Sequence, residues 1–240
     1  MAVNCEREAY FAKLAEQTGR YDEMAAHMET VARLGDELSA EERNLLFVAF
    51  KNAVGSRRTA WRIATAVKQR EISRGNDEQA LLATEYCDKI GAELDEFCSK
   101  LLELLDGGLI CKATKGESKV FYHKMKADYY RYIAEHTTSD AKVKASNDAT
   151  SAYEEAQALA RDLAATHPIR LGLALNFAVF QFEVLANLDE ACSMARVALE
   201  DAIAELDIVG EDSSNDTTLI MQLLRDNLSF WTSDQEGGKP

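Results

Sequence analysis

Basic residues and a tyrosine from two distant segments have the chemistry to bind a phosphate group. Lys51 and Arg58 are seven positions apart, so on a helix both side chains project from the same side. Far downstream, residues 128–132 supply Arg131 and the phenol of Tyr132. Arginine presents a planar fork of N–H donors, and hydrogen bonds between charged groups are the strong ones. These four side chains form a donor set suited to a dianionic phosphate.

Two further stretches place amides among leucines on single helical faces. An amide buried without partners is costly, so Asn176 and Asn227 fit poorly on a stripe that only forms a core. Facing a groove, each amide offers a donor and an acceptor to the backbone of an extended peptide. A leucine stripe is nevertheless more often core than groove. The two faces consist of Leu175, Asn176, Val179 and Glu183, and of Leu219, Ile220, Leu223, Asn227 and Trp231.

A third stripe of charges is open to two interpretations. Lys124, Asp128 and Arg131 follow helical spacing at i, i+4 and i+7. Asp128 either pairs with these neighbours on the surface, for a few tenths of a kcal/mol, or holds Arg131 toward a ligand. Charges on a helix are most often simply solvated, and the same alternative applies to Lys51 and Arg58.

The small number of helix-breaking prolines and glycines indicates long helices. The 240 residues contain only two prolines, Pro168 and Pro240, and twelve glycines. No stretch alternates at a period of two, so the fold class is predicted to be all-α, with about nine antiparallel helices in a layered bundle. Two of these helices are predicted to be about thirty residues long.

Capping patterns predict where individual helices begin and end. The predicted helix starts are a capping box at 39–42, the segment 76–79, Pro168, the segment 187–190 and Thr217. The predicted ends are Gly35, Gly107-Gly108, Leu185, Gly210 and Trp231. We predict one domain over residues 1–234 and a short flexible tail over residues 235–240.

The net charge disfavours two classes of binding partner, and the cysteines indicate the cellular compartment. The formal net charge of −14 disfavours nucleic acid and anionic membranes as partners. The five cysteines are scattered and never form a Cys-x-x-Cys pair, which predicts reduced thiols in a cytoplasmic protein. We also expect no membrane-spanning segment, because no apolar run is long enough.

The sequence contains no pattern of residues that is typical of a catalytic site. There is no glycine-rich phosphate loop, and the four histidines lack the spacing of helical metal ligands. We therefore predict a protein that is not an enzyme, with no catalytic residues, no metal site and no cofactor. A helical scaffold of the tetratricopeptide kind, which would bind unmodified peptides or C-terminal carboxylates, is the alternative to a phosphate-binding protein. Only two such units, 152–164 and 189–204, can be recognised, and three are normally needed.

Long stretches of the chain resemble the 14-3-3 family, in order and over nearly the whole length. The resemblance begins at Lys13-Leu-Ala-Glu-Gln17 and ends at Trp231-Thr-Ser-Asp234. The specific motifs are Arg43-Asn-Leu-Leu46, Lys51-Asn-Ala-Val-Gly55 with Arg57-Arg58, Lys119-Val-Phe-Tyr122, Asp128-Tyr-Tyr-Arg-Tyr132, His167-Pro-Ile-Arg-Leu-Gly-Leu-Ala-Leu-Asn-Phe177 and Thr218-Leu-Ile-Met-Gln-Leu-Leu-Arg-Asp-Asn227.

The resemblance implies a nine-helix, cup-shaped dimer whose grooves bind phosphoserine or phosphothreonine peptides of client proteins. It also implies that residues 1–70 form the dimerisation region. The implied phosphate ligands are Lys51, Arg58, Arg131 and Tyr132. The implied peptide contacts are Lys124, Leu175, Asn176, Val179, Glu183, Leu219, Ile220, Leu223, Asn227 and Trp231. The implied dimer contacts, in a homodimer or a heterodimer with a paralogue, are Leu14, Arg20, Tyr21, Glu23, Tyr86, Lys89 and Glu93. Their signs suit pairs across the interface, Arg20 with Glu93 and Glu23 with Lys89.

Four positions depart from the pattern of the family. Phe47 and Phe50 stand where serine and tyrosine are usual, and Ser229 replaces a usual threonine. Ala60 stands where many members have a serine whose phosphorylation opposes dimerisation. None of these changes removes an implied phosphate ligand.

Overall fold

Helices form the regular structure of this chain in a computed structural model that describes residues 4–34, 36–209 and 215–237. No strand occurs in these ranges, so the predicted all-α fold class is confirmed. Nine of the helices in them have 13 residues or more, and the two longest, α3 and α4, have 35 and 28. The helices are α1 (Cys5–Gln17), α2 (Tyr21–Leu34), α3 (Ala40–Arg74), α4 (Asp77–Leu104), α5 (Ile110–Lys112), α6 (Gly116–His136), α7 (Ser139–Ala160), α8 (Pro168–Glu183), α9 (Leu188–Val209) and α10 (Asn215–Gly237).

Several helix ends follow the local chemistry that the sequence predicts. The Ser39 hydroxyl accepts the Glu42 N–H at 3.2 Å, and the Glu42 carboxylate accepts the Ser39 N–H at 2.9 Å, which completes the capping box of α3. Helix α3 ends at Gly75, whose φ of 71° is a left-handed conformation that favours glycine. Pro168 occupies the first turn of α8, where its missing N–H costs nothing.

Helix α4 is followed by a π-helical turn over Leu105–Leu109, and the chain kinks inside that turn at Gly108, whose φ of 174° and ψ of −34° are not helical. This confirms the predicted break at Gly107-Gly108. Other details of the helix ends differ from the sequence prediction. The Asn76 side chain does not cap α4; its amide donates to Glu71 at 2.6 Å instead. Helix α8 ends at Glu183, two residues earlier than predicted.

The C-terminal helix is longer than the sequence indicated. Helix α10 runs over Asn215–Gly237 rather than Thr217 to Trp231, so the first three residues of the predicted tail are helical. The ends predicted at Gly35 and Gly210 lie outside the described residues.

The chain divides into two compact units, so the prediction of one domain over residues 1–234 stays a prediction. Unit 1 consists of residues 1–113 and 132–142, and unit 2 of residues 114–131 and 143–240. In unit 1 the helices α1 to α4 pack in succession, and α3 lies against α4. The fully buried side chains of this unit include Met24, Met28, Leu46, Phe50, Leu94 and Leu101.

Unit 2 is built around two apolar clusters. One joins α6, α7 and α8, and its largest members are Tyr153, Phe177 and Phe180. The other joins α8, α9 and α10 and includes Leu224 and Trp231. Burying a large apolar side chain contributes about 1.5–3 kcal/mol, so these clusters fix the relative positions of the helices within the unit.

The cysteines are free thiols, as the sequence predicts. Cys87 and Cys98 are buried and Cys111 is exposed. Burial, with the charge of Asp95 nearby, raises the pKa of Cys98 to about 12, so this thiol stays protonated at neutral pH. Within the described ranges, every helix is too short or too polar to cross a bilayer.

Candidate functional site

In unit 1, Arg58 on α3 is held by an acid and an aromatic ring. The Glu135 carboxylate accepts from Arg58 Nε at 3.0 Å and from Arg58 Nη2 at 2.8 and 2.7 Å. The guanidinium carbon lies 4.0 Å from the centroid of the Tyr132 ring. Both side chains of the ion pair are largely buried, with 21% of Arg58 and 13% of Glu135 exposed. These contacts do not use Arg58 Nη1, whose two N–H donors remain for a ligand.

Lys51 lies two turns before Arg58 on the same helix and is held differently. Its ammonium nitrogen lies 5.4 Å from the centroid of the Phe47 ring, within the range of a cation–π contact. Over residues 4–34, 36–209 and 215–237, this ammonium has no carboxylate partner. Lys51 is exposed and keeps its full positive charge available.

In unit 2, Asp128 on α6 is the centre of a buried polar network. Its carboxylate accepts from Lys124 Nζ at 2.9 Å, from Asn176 Nδ2 at 2.9 Å and from the Tyr153 hydroxyl at 2.6 Å. The same hydroxyl accepts from Arg131 Nε at 3.2 Å, and Arg131 Nη2 lies 3.6 Å from the carboxylate. Asp128 is only 3% exposed, so pairing on the surface is the wrong interpretation of this stripe.

The charges in this network set its protonation state. Burial on its own raises the pKa of Asp128, but the charges of Lys124 and Arg131 and the hydrogen bonds outweigh it and hold this pKa below its usual value. Burial and the neighbouring carboxylate raise the pKa of Tyr153 well above its usual value. The network therefore contains a carboxylate and a neutral phenol that donates to it.

Aromatic packing holds the phenol in place. The Tyr153 ring of α7 stacks on Phe177 of α8, with centroids 4.8 Å apart and an angle of 9° between the rings. Phe180 lies against the same ring at 5.4 Å. Because Asn176 directly precedes Phe177, this packing also brings its amide to Asp128. The apolar core of unit 2 thus fixes the polar network.

The predicted peptide contacts all belong to unit 2, and most remain accessible. A methyl group on Gly172 of α8 would lie 3.7 Å from Lys124 Cε and 4.0 Å from Ile220 Cδ1, so α6, α8 and α10 meet there. Leu219 and Leu223 are 60% and 42% exposed. Glu183 is exposed, and Leu175, Val179, Ile220 and Asn227 are partly buried.

Trp231 requires a correction. Only 3% of its surface is exposed, and its ring lies 5.2 Å from that of Phe182 in the core of unit 2. The structure therefore does not support a peptide contact from the Trp231 side chain, which follows the rule that an apolar stripe is usually core. Asn176 differs from expectation in one respect, because one N–H of its amide is already directed at the Asp128 carboxylate, which leaves Oδ1 and the second N–H for a ligand.

Most of the predicted dimer residues surround one cavity of unit 1. This cavity has a volume of about 710 Å³, and Ala60 also lines it. Tyr86 is 59% exposed, and Leu14, which does not line the cavity, is 38% exposed on α1. The predicted dimer residues that line the cavity are Arg20, Tyr21, Glu23, Tyr86, Lys89 and Glu93.

Within a single chain, the charged groups of this surface pair differently from the expected intersubunit pairs. Arg20 Nε donates to Glu23 at 2.8 Å. Glu93 accepts from Arg57 at 3.2 Å, and Arg57 also binds Asp22 at 2.9 and 3.0 Å. Pairs of Arg20 with Glu93 and of Glu23 with Lys89 stay predictions about the dimer.

Sequence reasoning missed two residues that hold the basic side chains. Glu135 is 77 positions from Arg58, so no local pattern relates them. Tyr153 lies in the alanine-rich helix α7, and the sequence patterns gave it no role. Its partner Asp128 was singled out in the sequence, but no local pattern shows that the two meet, because they are 25 positions apart. In the part of the chain that the structure describes, no group of acidic, histidine and cysteine side chains is arranged to hold a metal.

Comparisons with known proteins identify the family of this helical protein. The family model for the 14-3-3 protein matches residues 11–232. The chain is 54% identical to the 14-3-3 family protein artA of Aspergillus flavus, an alignment that covers 96% of this chain and 97% of the relative. It is also 54% identical to the 14-3-3-like protein GF14-C of Oryza sativa subsp. japonica, with 97% and 93% covered. The 14-3-3-like protein G-BOX factor 14 kappa of Arabidopsis thaliana is 54% identical, with 98% of each chain covered.

The chain therefore belongs to the 14-3-3 family. This confirms the resemblance found in the sequence. Membership supports a role as an adaptor that binds client proteins.

Proposed function

We propose that this protein is an adaptor that binds phosphoserine or phosphothreonine peptides and regulates its client proteins as a dimer. The observation that carries the proposal is how the cationic side chains are held. Arg58, Arg131 and Lys124 each contact a largely buried carboxylate, and Lys51 contacts an aromatic ring. Donors that are fixed before the ligand arrives lose less entropy on binding.

The phosphate is bound by Lys51, Arg58, Arg131 and Tyr132. Lys51 contributes an ammonium without a carboxylate partner among the described residues, and Arg58 contributes its Nη1 edge. Hydrogen bonds to a charged group contribute about 1.5–3 kcal/mol each, so several of them distinguish a phosphate from the parent hydroxyl. Three positive charges also exceed what a single carboxylate needs, which favours phosphate over the C-terminus of an unmodified peptide.

The peptide backbone lies along α8 and α10 in this proposal. Asn176 accepts a peptide N–H through Oδ1 and keeps one N–H to donate, because its contacts with Asp128 use only one N–H of the amide. The Asn227 amide makes no hydrogen bond within the described ranges, so it both donates and accepts. Leu219 and Leu223 supply exposed apolar surface for peptide side chains, and Leu175, Val179, Ile220, Lys124 and Glu183 complete the contacts.

Two copies associate through the cavity of unit 1 that Ala60 and Tyr86 line, with Leu14 as a further contact. The exposed Tyr86 and Leu14 side chains are apolar groups that a partner would bury, as interfaces do. The partner is a second copy of this chain or a paralogue. Two linked grooves raise the affinity for doubly phosphorylated clients through effective concentration. We further propose that the protein acts in the cytoplasm and is not an enzyme.

Capture of client proteins tests this function. We expect the immobilised protein to retain a set of proteins from a cell lysate, and to lose most of them when the lysate is first treated with a phosphatase. An Arg58→Ala variant should retain little from either lysate. Capture that does not change after phosphatase treatment would contradict the proposal and favour a scaffold that binds unmodified peptides.

A further inference from the structure

Two kinds of contact hold the cations of unit 1. Arg58 lies against the Glu135 carboxylate at 2.7–3.0 Å, so part of its charge is neutralised in the free protein. Lys51 instead lies 5.4 Å from the Phe47 ring centroid, one turn earlier on α3. A ring attracts a cation through its quadrupole and carries no net charge. The ring can therefore hold the ammonium without competing with an anionic ligand for it.

The contact depends on the aromatic ring of residue 47, because an alkyl or hydroxymethyl side chain has no quadrupole to attract the ammonium. Phe47 is only partly buried, so its ring is not simply a core side chain. A lysine side chain loses rotamer entropy when it is fixed in one position, and a side chain that is already held has less to lose.

We infer that Phe47 is a positioning residue that holds the Lys51 ammonium ready for the phosphate while leaving its charge intact. This inference rests on the proposed function, in which Lys51 contacts the phosphate. Cation–π contacts at exposed sites are weak, so we expect the contribution of Phe47 to phosphopeptide affinity to be about two- to fivefold.

Fluorination of the ring tests this electrostatic role with little change of shape. Mono-, di- and trifluorinated phenylalanine at position 47 reduce the quadrupole step by step. We expect affinity for a phosphoserine peptide to fall with each step, by about two- to fivefold in total. Phe47→Leu should give a similar loss of affinity. Phe47→Tyr keeps an aromatic ring and should keep the wild-type affinity. In a Lys51→Met background, fluorination should have no effect on affinity.

The contact itself is measurable without any ligand. Protons held over the face of a ring resonate upfield, so the ε-methylene protons of Lys51 should shift downfield in Phe47→Leu. An unshifted Lys51 signal in the wild-type protein would contradict the contact.

The remaining outcomes separate this inference from the proposed function. A wild-type protein that binds phosphorylated and unmodified peptides equally would overturn the proposed function, whatever the Lys51 signal shows. A wild-type protein that prefers the phosphopeptide, but whose affinity ignores fluorination, would overturn the role of Phe47 alone. Equal losses with and without Lys51 would also overturn it, because the ring would then act by another route.

Discussion

Replacing Arg58 with alanine should damage both the fold and the site, and the structure separates the two effects. Arg58 is the main partner of Glu135; the guanidinium of Arg62 lies 3.4 Å from the same carboxylate. A cluster of cations without acidic partners would lose little stability with one of its charges, since like charges repel each other. The ion pair with Glu135 makes Arg58 stabilising instead.

The expected loss of stability follows from how deeply the Arg58–Glu135 ion pair is buried. Breaking a fully buried ion pair costs about 3–5 kcal/mol, and an exposed pair contributes 1 kcal/mol or less. With 21% of Arg58 and 13% of Glu135 exposed, we expect a loss of about 1–3 kcal/mol in the free energy of unfolding. For a chain of this size, that lowers Tm by about 2–12 °C. Affinity for a phosphopeptide should fall by about 2–5 kcal/mol, because the phosphate loses a charged donor and Glu135 loses a bidentate partner.

A second substitution distinguishes stability from binding. Arg58→Ala combined with Glu135→Gln also removes the carboxylate that lost its partner Arg58, so it should recover most of the lost Tm but not the affinity. Arg57→Ala is the matched control on the same helix, since Arg57 binds Asp22 and Glu93. It should lower Tm while affinity for a singly phosphorylated peptide stays the same.

The assays are thermal melts followed by circular dichroism, with peptide titrations followed by fluorescence anisotropy. If Arg58→Ala retains the wild-type affinity, the phosphate assignment is wrong. If the double variant melts no higher than Arg58→Ala, the ion pair with Glu135 does not contribute as the geometry indicates.

Two further predictions concern the buried network and the dimer. Asp128→Asn leaves the charges of Lys124 and Arg131 without their buried partner, so unfolding should become easier by about 3–5 kcal/mol. Because the pKa of Asp128 is lowered by folding, its stabilisation is complete above the ordinary aspartate pKa of about 3.9 and is lost as pH falls through the lower folded value. Urea denaturation at several pH values should show less acid sensitivity below about pH 4 in Asp128→Asn, and equal sensitivity would contradict this. Ala60→Glu places a carboxylate on the proposed dimer surface, so its sedimentation velocity profile should shift toward monomer. The control variant Ala60→Ser should show no such shift. A wild-type protein that sediments as a monomer at micromolar concentration would refute the dimer.

The sequence predicted the helices well where their ends depend on local chemistry. The capping box at Ser39 and the proline at the start of α8 act through neighbours within four residues, so the pattern is sufficient. The break predicted at Gly107-Gly108 is also present, since Gly108 is non-helical inside the π-helical turn that follows α4. The sequence pattern did not show the π-helical turn itself, in which Leu105 and Leu109 are buried.

The candidate site was predictable in its residue types but not in its pairing. Lys124 and Asp128 are four residues apart on one helix, and their contact could be read from that spacing. The partners Glu135 of Arg58 and Asn176 of Asp128 are 77 and 48 positions away, and only tertiary packing brings them together.

Burial was the other property that helical spacing could not supply. Asp128 was weighed as a surface residue and is buried. Trp231 was assigned to a groove face, yet its ring lies in the core. Spacing shows which residues share a face of a helix, but it does not show what covers that face.

The central claim is that the phosphate itself determines binding. The most direct measurement is an isothermal titration of one peptide with upstream arginine in two forms, with phosphoserine and with serine at the same position. Two charge-assisted hydrogen bonds to the phosphate are enough for the unmodified form to bind at least about 100-fold more weakly, and this is the result we predict. Equal affinities for the two peptides would contradict the account.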